Sequence, residues 1–219
     1  MQLRRRAVFP ENRLRNDQTS RSSVVRQTIP CHTPVVFNDG HSETNMKLTL
    51  IGYRGCGKSS VGPLLAETLR LTCIDSDDHV EDAAGKSIQQ IFADDGEAEF
   101  RRLESQVIAD LLAQDDIVVA AGGGAILAET NRKCMQDAGS VIWLQATVET
   151  LASRIARDET STSRRPSLTG KSIQEEIAEV LEARRELYQK ASTMTVDTDN
   201  RAPQEIADEI VTRLAGVSE

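Results

Sequence analysis

"GYRGCGKS", Gly52 to Ser59, joins an apolar run, "LTLI", to a helix-like run, "SSVGPLLAETL". Three glycines, one lysine and one serine stand at that junction, so the chain offers bare backbone there, ending on a lysine and a serine hydroxyl. Phosphate explains the choice. Glycines let backbone N–H groups approach a polyphosphate closely, and the helix that follows aims its N-terminal N–H groups and positive dipole end at the anion. The spacing G-x-x-x-x-G-K-S fits Gly52, Gly57, Lys58 and Ser59. At ordinary residue frequencies, chance supplies that match in a chain this long roughly once in a hundred. In this pattern Lys58 reaches the β- and γ-phosphates and the Ser59 hydroxyl ligates Mg²⁺. A merely glycine-rich turn is the competing account, and it leaves Lys58 and Ser59 unexplained. The loop therefore reads as a nucleoside triphosphate site, and the question becomes what receives the phosphate.

Outward from the loop, the pattern from Met46 alternates. Strand-length apolar runs appear at "KLTLIG", "TCID", "IVVAA", "SVIWLQ" and "TMTVD". Between them lie helical stretches such as "EAEFRRLESQVIADLLAQ", where Phe100, Leu103, Val107, Ile108 and Leu111 keep the 3-and-4 spacing of one helix face. Apolar strands separated by helices predict an α/β fold with a parallel sheet covered on both faces. Ligands on such sheets bind at the carboxyl ends of the strands.

The whole chain narrows the function classes. At 219 residues it can bury a full-sized core. No apolar run approaches the roughly 18 residues of a membrane span. Residues 1–45 hold seven Arg and no Lys against Glu11, Asp17, Asp39 and Glu43, a balance of +3. The net charge of −8 therefore leaves −11 on the remainder, which argues against nucleic acid as a partner. The first 45 residues lack periodicity and are expected to be disordered; an organelle transit peptide or a misassigned start, with Met46 as the true one, also fits them. Cys31, Cys56, Cys73 and Cys134 are scattered, without metal-ligand or disulfide spacing, which suits a reducing compartment such as the cytoplasm. Cys56, inside the phosphate loop, reads as a small filler. A monomer is expected.

The strand ends carry the chemistry. "DSD" follows the second strand: Asp75 is placed to support Mg²⁺, and Asp77 to accept a hydrogen bond from an acceptor hydroxyl. The alternative is that these acids cap the next helix, although Asp78 is available for that. "GGG", Gly122 to Gly124, follows the third strand and leaves backbone N–H groups where a small ligand can approach. Arg101 in "EFRRLE", Arg165 in "SRRPSL" and Arg184 before "RELY" are the notable cations; any one alone would be a solvated surface residue. The polar stretch around Arg165, about 159–170, reads as a mobile lid that closes over the transferred phosphate. His32, His41 and His79 have no evident catalytic arrangement.

Taken in order and spacing, "GYRGCGKS", "DSD", "FR", "GGG", "RRP" and "RRELY" resemble shikimate kinase, of the nucleoside-monophosphate-kinase-like group, from residue 46 to about 216. The resemblance implies a three-layer P-loop kinase fold over 46–219, with a five-stranded parallel sheet in order 2-3-1-4-5 flanked by helices and a lid. It implies transfer of the ATP γ-phosphate to the 3-hydroxyl of shikimate, a step of chorismate and aromatic amino acid biosynthesis. By position, Gly55, Cys56, Gly57, Lys58, Ser59 and Ser60 serve ATP, and Arg154 and Pro203 flank adenine. Ser59 and Asp75 serve Mg²⁺. Asp77, Arg101, Gly123 and Arg184 bind shikimate, and Arg165 reaches the γ-phosphate from the lid. Lys58, Asp77 and Arg165 are the expected catalytic residues. Independently, a small hydroxylated acid needs arginine forks for its carboxylate and an anionic acceptor for its hydroxyl.

The chain departs from the family pattern in three places. Glu186 stands where proline is usual, which makes Arg185 a rival to Arg184. The lid is a few residues longer than common. Pro63 falls in the second turn of the phosphate-loop helix and should bend it slightly. Two other functions compete. A gluconate-type kinase would share the loop and sheet but not the Asp77, Arg101, Gly123 and Arg184 set; a non-catalytic nucleotide-binding regulator would lack Lys58, Asp77 or the lid arginine.

Overall fold

The apolar runs become strands close to where their patterns place them. A computed structural model describes residues 45–157 and 172–216. Arg165, the lid stretch and the tail up to residue 44 lie outside the described residues. The chain runs β1 (Lys47–Ile51), α1 (Lys58–Leu69), β2 (Thr72–Asp75), α2 (Ser76–Ala84), α3 (Ile88–Asp94), α4 (Gly96–Leu112) and β3 (Ile117–Ala120). A 3₁₀ turn (Ala125–Leu127), α5 (Glu129–Ala138), β4 (Ser140–Gln145), α6 (Val148–Arg157), α7 (Ile173–Ala191), β5 (Met194–Asp197) and α8 (Pro203–Leu214) follow. The strands form one sheet in order β2-β3-β1-β4-β5, every pair parallel, as the family resemblance implies.

Period-two alternation in buried strands builds two cores at once. In β3 and β4, Val119, Val141 and Trp143 face one layer, where Phe100, Ile108 and Leu111 of α4, Met135 of α5 and Tyr188 of α7 meet them. Val118, Ile142 and Leu144 face the other, against Val61 and Leu65 of α1, Leu151 and Ile155 of α6, and Ile206 and Ile210 of α8. Each fully buried side chain of this size contributes about 1.5–3 kcal/mol of transfer free energy. The long-helix pattern holds with one exception: Glu104, a charged residue, is buried on the α4 core face, while Leu103 is only partly buried.

Local signals set the helix starts. Ser87 and Ser172 each close a capping box, with Gln90 and Glu175. Helix α1 continues unbroken through Pro63, which stands on its exposed side. Among the described residues no helix is long and apolar enough to cross a membrane. With β1 between β3 and β4, the phosphate loop leaves the sheet centre, directly beside the chain that leaves β3.

Candidate active site

The loop from Gly52 to Ser59 turns on positive backbone angles at Gly52, Gly55 and Gly57. At Gly52 a side chain would collide with the Leu144 carbonyl and the Cys56 sulfur, so only glycine fits. The Lys58 ammonium lies inside its own loop, donating to the Gly52 carbonyl at 2.9 Å and the Tyr53 carbonyl at 3.2 Å. Cys56 is buried with its sulfur 3.7 Å from the Lys58 Nζ, in keeping with a filler. Lys58 thus holds the loop's shape with the group that reaches phosphate in this motif.

The two aspartates have separate surroundings. Asp75 ends β2 and caps α2, its Oδ1 accepting the Asp77 N–H at 2.9 Å. The capping role expected of Asp78 therefore belongs to Asp75, because Asp78 already lies inside the first turn. Its Oδ2 accepts the Ser59 hydroxyl at 3.4 Å. Burial pushes the Asp75 carboxyl above its ordinary pKa; the Asp77 N–H opposes this, and the charges of Asp77 and Asp78 add to it. A hydroxyl and a charge-strained carboxylate side by side are a hard-oxygen pair, which fits Mg²⁺, a cation that takes one or two protein carboxylates and fills its shell with phosphate and water. Among the described residues no group of three or more His, Cys, Asp or Glu competes for a metal.

The three glycines after β3 do more than leave N–H groups bare. Gly122 donates to the buried Ser76 hydroxyl at 2.9 Å, and a Cβ on it would strike the Asp77 carboxylate. A Cβ on Gly124 would lie 2.6 Å from Arg101 Nη1. The Gly123 carbonyl accepts Arg184 Nη1 and the Tyr188 hydroxyl, both at 2.9 Å. The glycine run therefore gives Asp77 and Arg101 room and gives Arg184 an anchor. Arg101 is further fixed by Glu104 at 2.8 Å and Glu97 at 3.3 Å. Burial opposes the charge on Arg101, but these two carboxylates leave its pKa above the ordinary value. Arg185, the rival of Arg184, points to solvent and pairs with Glu182 at 3.3 Å.

One cavity of about 490 Å³ joins the phosphate loop, the two aspartates and the glycine run. It is lined by the phosphate loop through Ser60, by Asp75 and Asp77, by Gly122 and Gly123, and by Arg154 and Pro203. Arg154 donates to the Gly55 carbonyl at 3.2 Å and the Thr198 carbonyl at 2.6 Å, tying the loop to the segment after β5. Arg101 and Arg184 do not line it; Arg101 packs against Gly124, and Arg184 reaches the lining residue Gly123. Sequence reasoning missed Glu104, Ser76, Tyr188 and Arg54, the last of which lines the cavity. Glu104 and Tyr188 carried a signal, their i+3 and i+4 spacing from Arg101 and Arg184, and Arg54 lies inside the phosphate-loop motif.

Comparison with known proteins agrees with this geometry. The shikimate kinase family model matches residues 54–215. A shikimate kinase of Rhodopirellula baltica is 42% identical over 164 residues, which span 75% of this chain and 88% of that protein. The solved shikimate kinase from Acinetobacter baumannii in complex with shikimate has a TM-score of 0.74 at 33% identity, over 80% of this chain and 95% of its own. A gluconokinase from Sinorhizobium meliloti reaches a TM-score of 0.50 at 21% identity, over 80% of this chain and 95% of its own, a likeness of fold alone.

Proposed function

The chain belongs to the shikimate kinase family, and from that premise we propose how its cleft transfers the γ-phosphate of ATP to the 3-hydroxyl of shikimate. The observation that carries the proposal is the meeting of two kinds of group around one cavity: a phosphate loop with Lys58, and an anionic acceptor, Asp77, beside a glycine run that Arg184 and Arg101 touch. Lys58 exchanges the Gly52 and Tyr53 carbonyls for phosphate oxygens when nucleotide arrives. Gly55, Cys56, Gly57, Ser59 and Ser60 wrap the phosphates, and Arg154 and Pro203 flank the base. Ser59 and Asp75 would hold Mg²⁺, which would neutralise phosphate charge. Asp77 accepts the hydrogen bond of the shikimate hydroxyl, orients its oxygen, and takes its proton as the bond to phosphorus forms and the bond from phosphorus to ADP breaks. The Gly123 backbone engages the shikimate hydroxyls as well. Arg101 and Arg184 hold the carboxylate, each charged hydrogen bond contributing about 1.5–3 kcal/mol. Arg165 belongs to the same reading, as the cation that meets the transferred phosphate.

Phosphoryl transfer through a loose transition state asks mainly for positioning and charge, and this arrangement supplies both. A gluconate-type acceptor would give Arg101 and Arg184 a carboxylate too, but family membership favours shikimate. A coupled ADP-release assay tests it: shikimate should drive ADP release in the presence of Mg²⁺, and gluconate should not. Release with gluconate alone, or with neither, would sink the proposal. A cytoplasmic monomer is part of the same proposal; the free thiols of Cys56, Cys73 and Cys134 support the reducing compartment, and sedimentation measures the oligomeric state.

A further inference from the structure

Tyr188 is buried in the core, yet its hydroxyl ends at the site. It lies four residues after Arg184 on α7, so both side chains leave the same helix face toward the same acceptor, the Gly123 carbonyl. The two donors converge on one oxygen, so the Tyr188 hydroxyl helps fix the carbonyl that anchors the Arg184 guanidinium. The result is one backbone carbonyl shared by an arginine and a phenol. The phenol is packed in the core, and the guanidinium is partly exposed.

The ring is rigid because Trp143 of β4 stacks on it, with centroids 5.3 Å apart and planes 14° from parallel. Trp143 is itself 6% exposed and belongs to the same core. Tyr188 is therefore fixed from the sheet, and the carbonyl that holds the arginine is fixed from Tyr188. A long arginine side chain carries several rotatable bonds, and ordering them at the moment of binding weakens affinity. A guanidinium already held by the Gly123 carbonyl has lost part of that freedom on folding.

We infer that Tyr188 is a positioning residue for the acceptor carboxylate: its hydroxyl holds the Gly123 carbonyl that sets the Arg184 guanidinium before substrate arrives. The inference rests on the reading that Arg184 binds the shikimate carboxylate. Burial raises the Tyr188 pKa, so the hydroxyl remains a donor throughout the working range. Removing the hydroxyl alone, Tyr188→Phe, leaves the stack on Trp143 and leaves the Gly123 carbonyl with its Arg184 partner.

A double-mutant cycle on shikimate KM, with Tyr188→Phe, Arg184→Ala and both together, tests this. Tyr188→Phe should raise the shikimate KM about three- to tenfold, the worth of one neutral hydrogen bond. The ATP KM should not move, and melting temperature and the emission of Trp143, the single tryptophan, should verify the fold. In the Arg184→Ala background, Tyr188→Phe should add nothing. Additive effects, or an ATP KM that rises in step with that for shikimate, would show a merely structural tyrosine and overturn the inference. A wild-type enzyme that does not phosphorylate shikimate would bring down the functional reading first, and this inference with it.

Discussion

The two halves of the cleft are built on opposite plans. The proposed phosphate half is one continuous stretch, Gly52 to Ser60, rich in bare backbone, whose lysine is held by carbonyls five and six residues away. The acceptor half gathers Asp77 from α2, Arg101 from α4, the glycine run after β3 and Arg184 from α7. Phosphate recognition is local because a helix start and a few N–H groups suffice. Recognition of a particular hydroxy acid needs groups of unlike charge at set separations, and only tertiary structure supplies those.

If the halves are separable, damage to one should leave the other intact, and four experiments probe this from the largest effect to the smallest. Lys58→Ala should abolish turnover, by about a thousandfold or more. It should also lower the melting temperature, since the loop loses two internal hydrogen bonds. A stable variant with unchanged turnover would remove the phosphate-loop assignment. Asp77→Asn should lower kcat about a hundredfold while ATP affinity and the Mg²⁺ requirement hold, as titrations of each can decide. A raised Mg²⁺ requirement in Asp77→Asn but not in Asp75→Asn would mean the two roles are exchanged.

Arg184→Ala should weaken shikimate about ten- to a hundredfold with little change in ATP binding, whereas exposed Arg185→Ala should weaken neither. The reverse outcome would move the substrate arginine by one position. The smallest effect concerns stability. Burial raises the Asp75 pKa above its ordinary 3.8, so the folded chain binds this proton more tightly than the unfolded chain does. Its contribution is most favourable below the unfolded value and is lost as pH rises through the folded one. Ligand-free Asp75→Asn should therefore melt slightly above wild type at pH 7, and the difference should close in acid. A lower melting temperature at pH 7 would show that the cap, not the buried charge, dominates there.

The same contrast governs what the sequence discloses. "SVIWLQ" and "TCID" are legible to the residue as β4 and β2; β4 leaves an unbroken apolar run because it is buried, while β2, a half-exposed edge strand, shows itself by its place between two helical stretches. The phosphate loop is legible because its whole function lies within eight letters. Acceptor residues were reached through family resemblance, and their support was not. "GGG" promises bare backbone, but that Gly124 makes room for Arg101 depends on two segments more than twenty residues apart. Glu104 looks like one more acid on a charged helix face until packing buries it. Asp75, read for metal, proves to be the α2 cap, the alternative that the sequence left open among the acids of "DSD".

The central place of β1 also sets an order of assembly. Lys47 pairs with Ile117 and Leu48 with Ser140, so the strand that launches the phosphate loop has no neighbour until much later chain exists. At about 5–20 residues per second, synthesis leaves it waiting on the order of ten seconds. Pairings of such long sequence separation close slowly, since loop entropy is lost before contacts form. The phosphate loop thus leaves the ribosome well before the strands that hold its launching strand in place. A nascent chain arrested before Ser140 carries every residue of that loop and should retain no nucleotide.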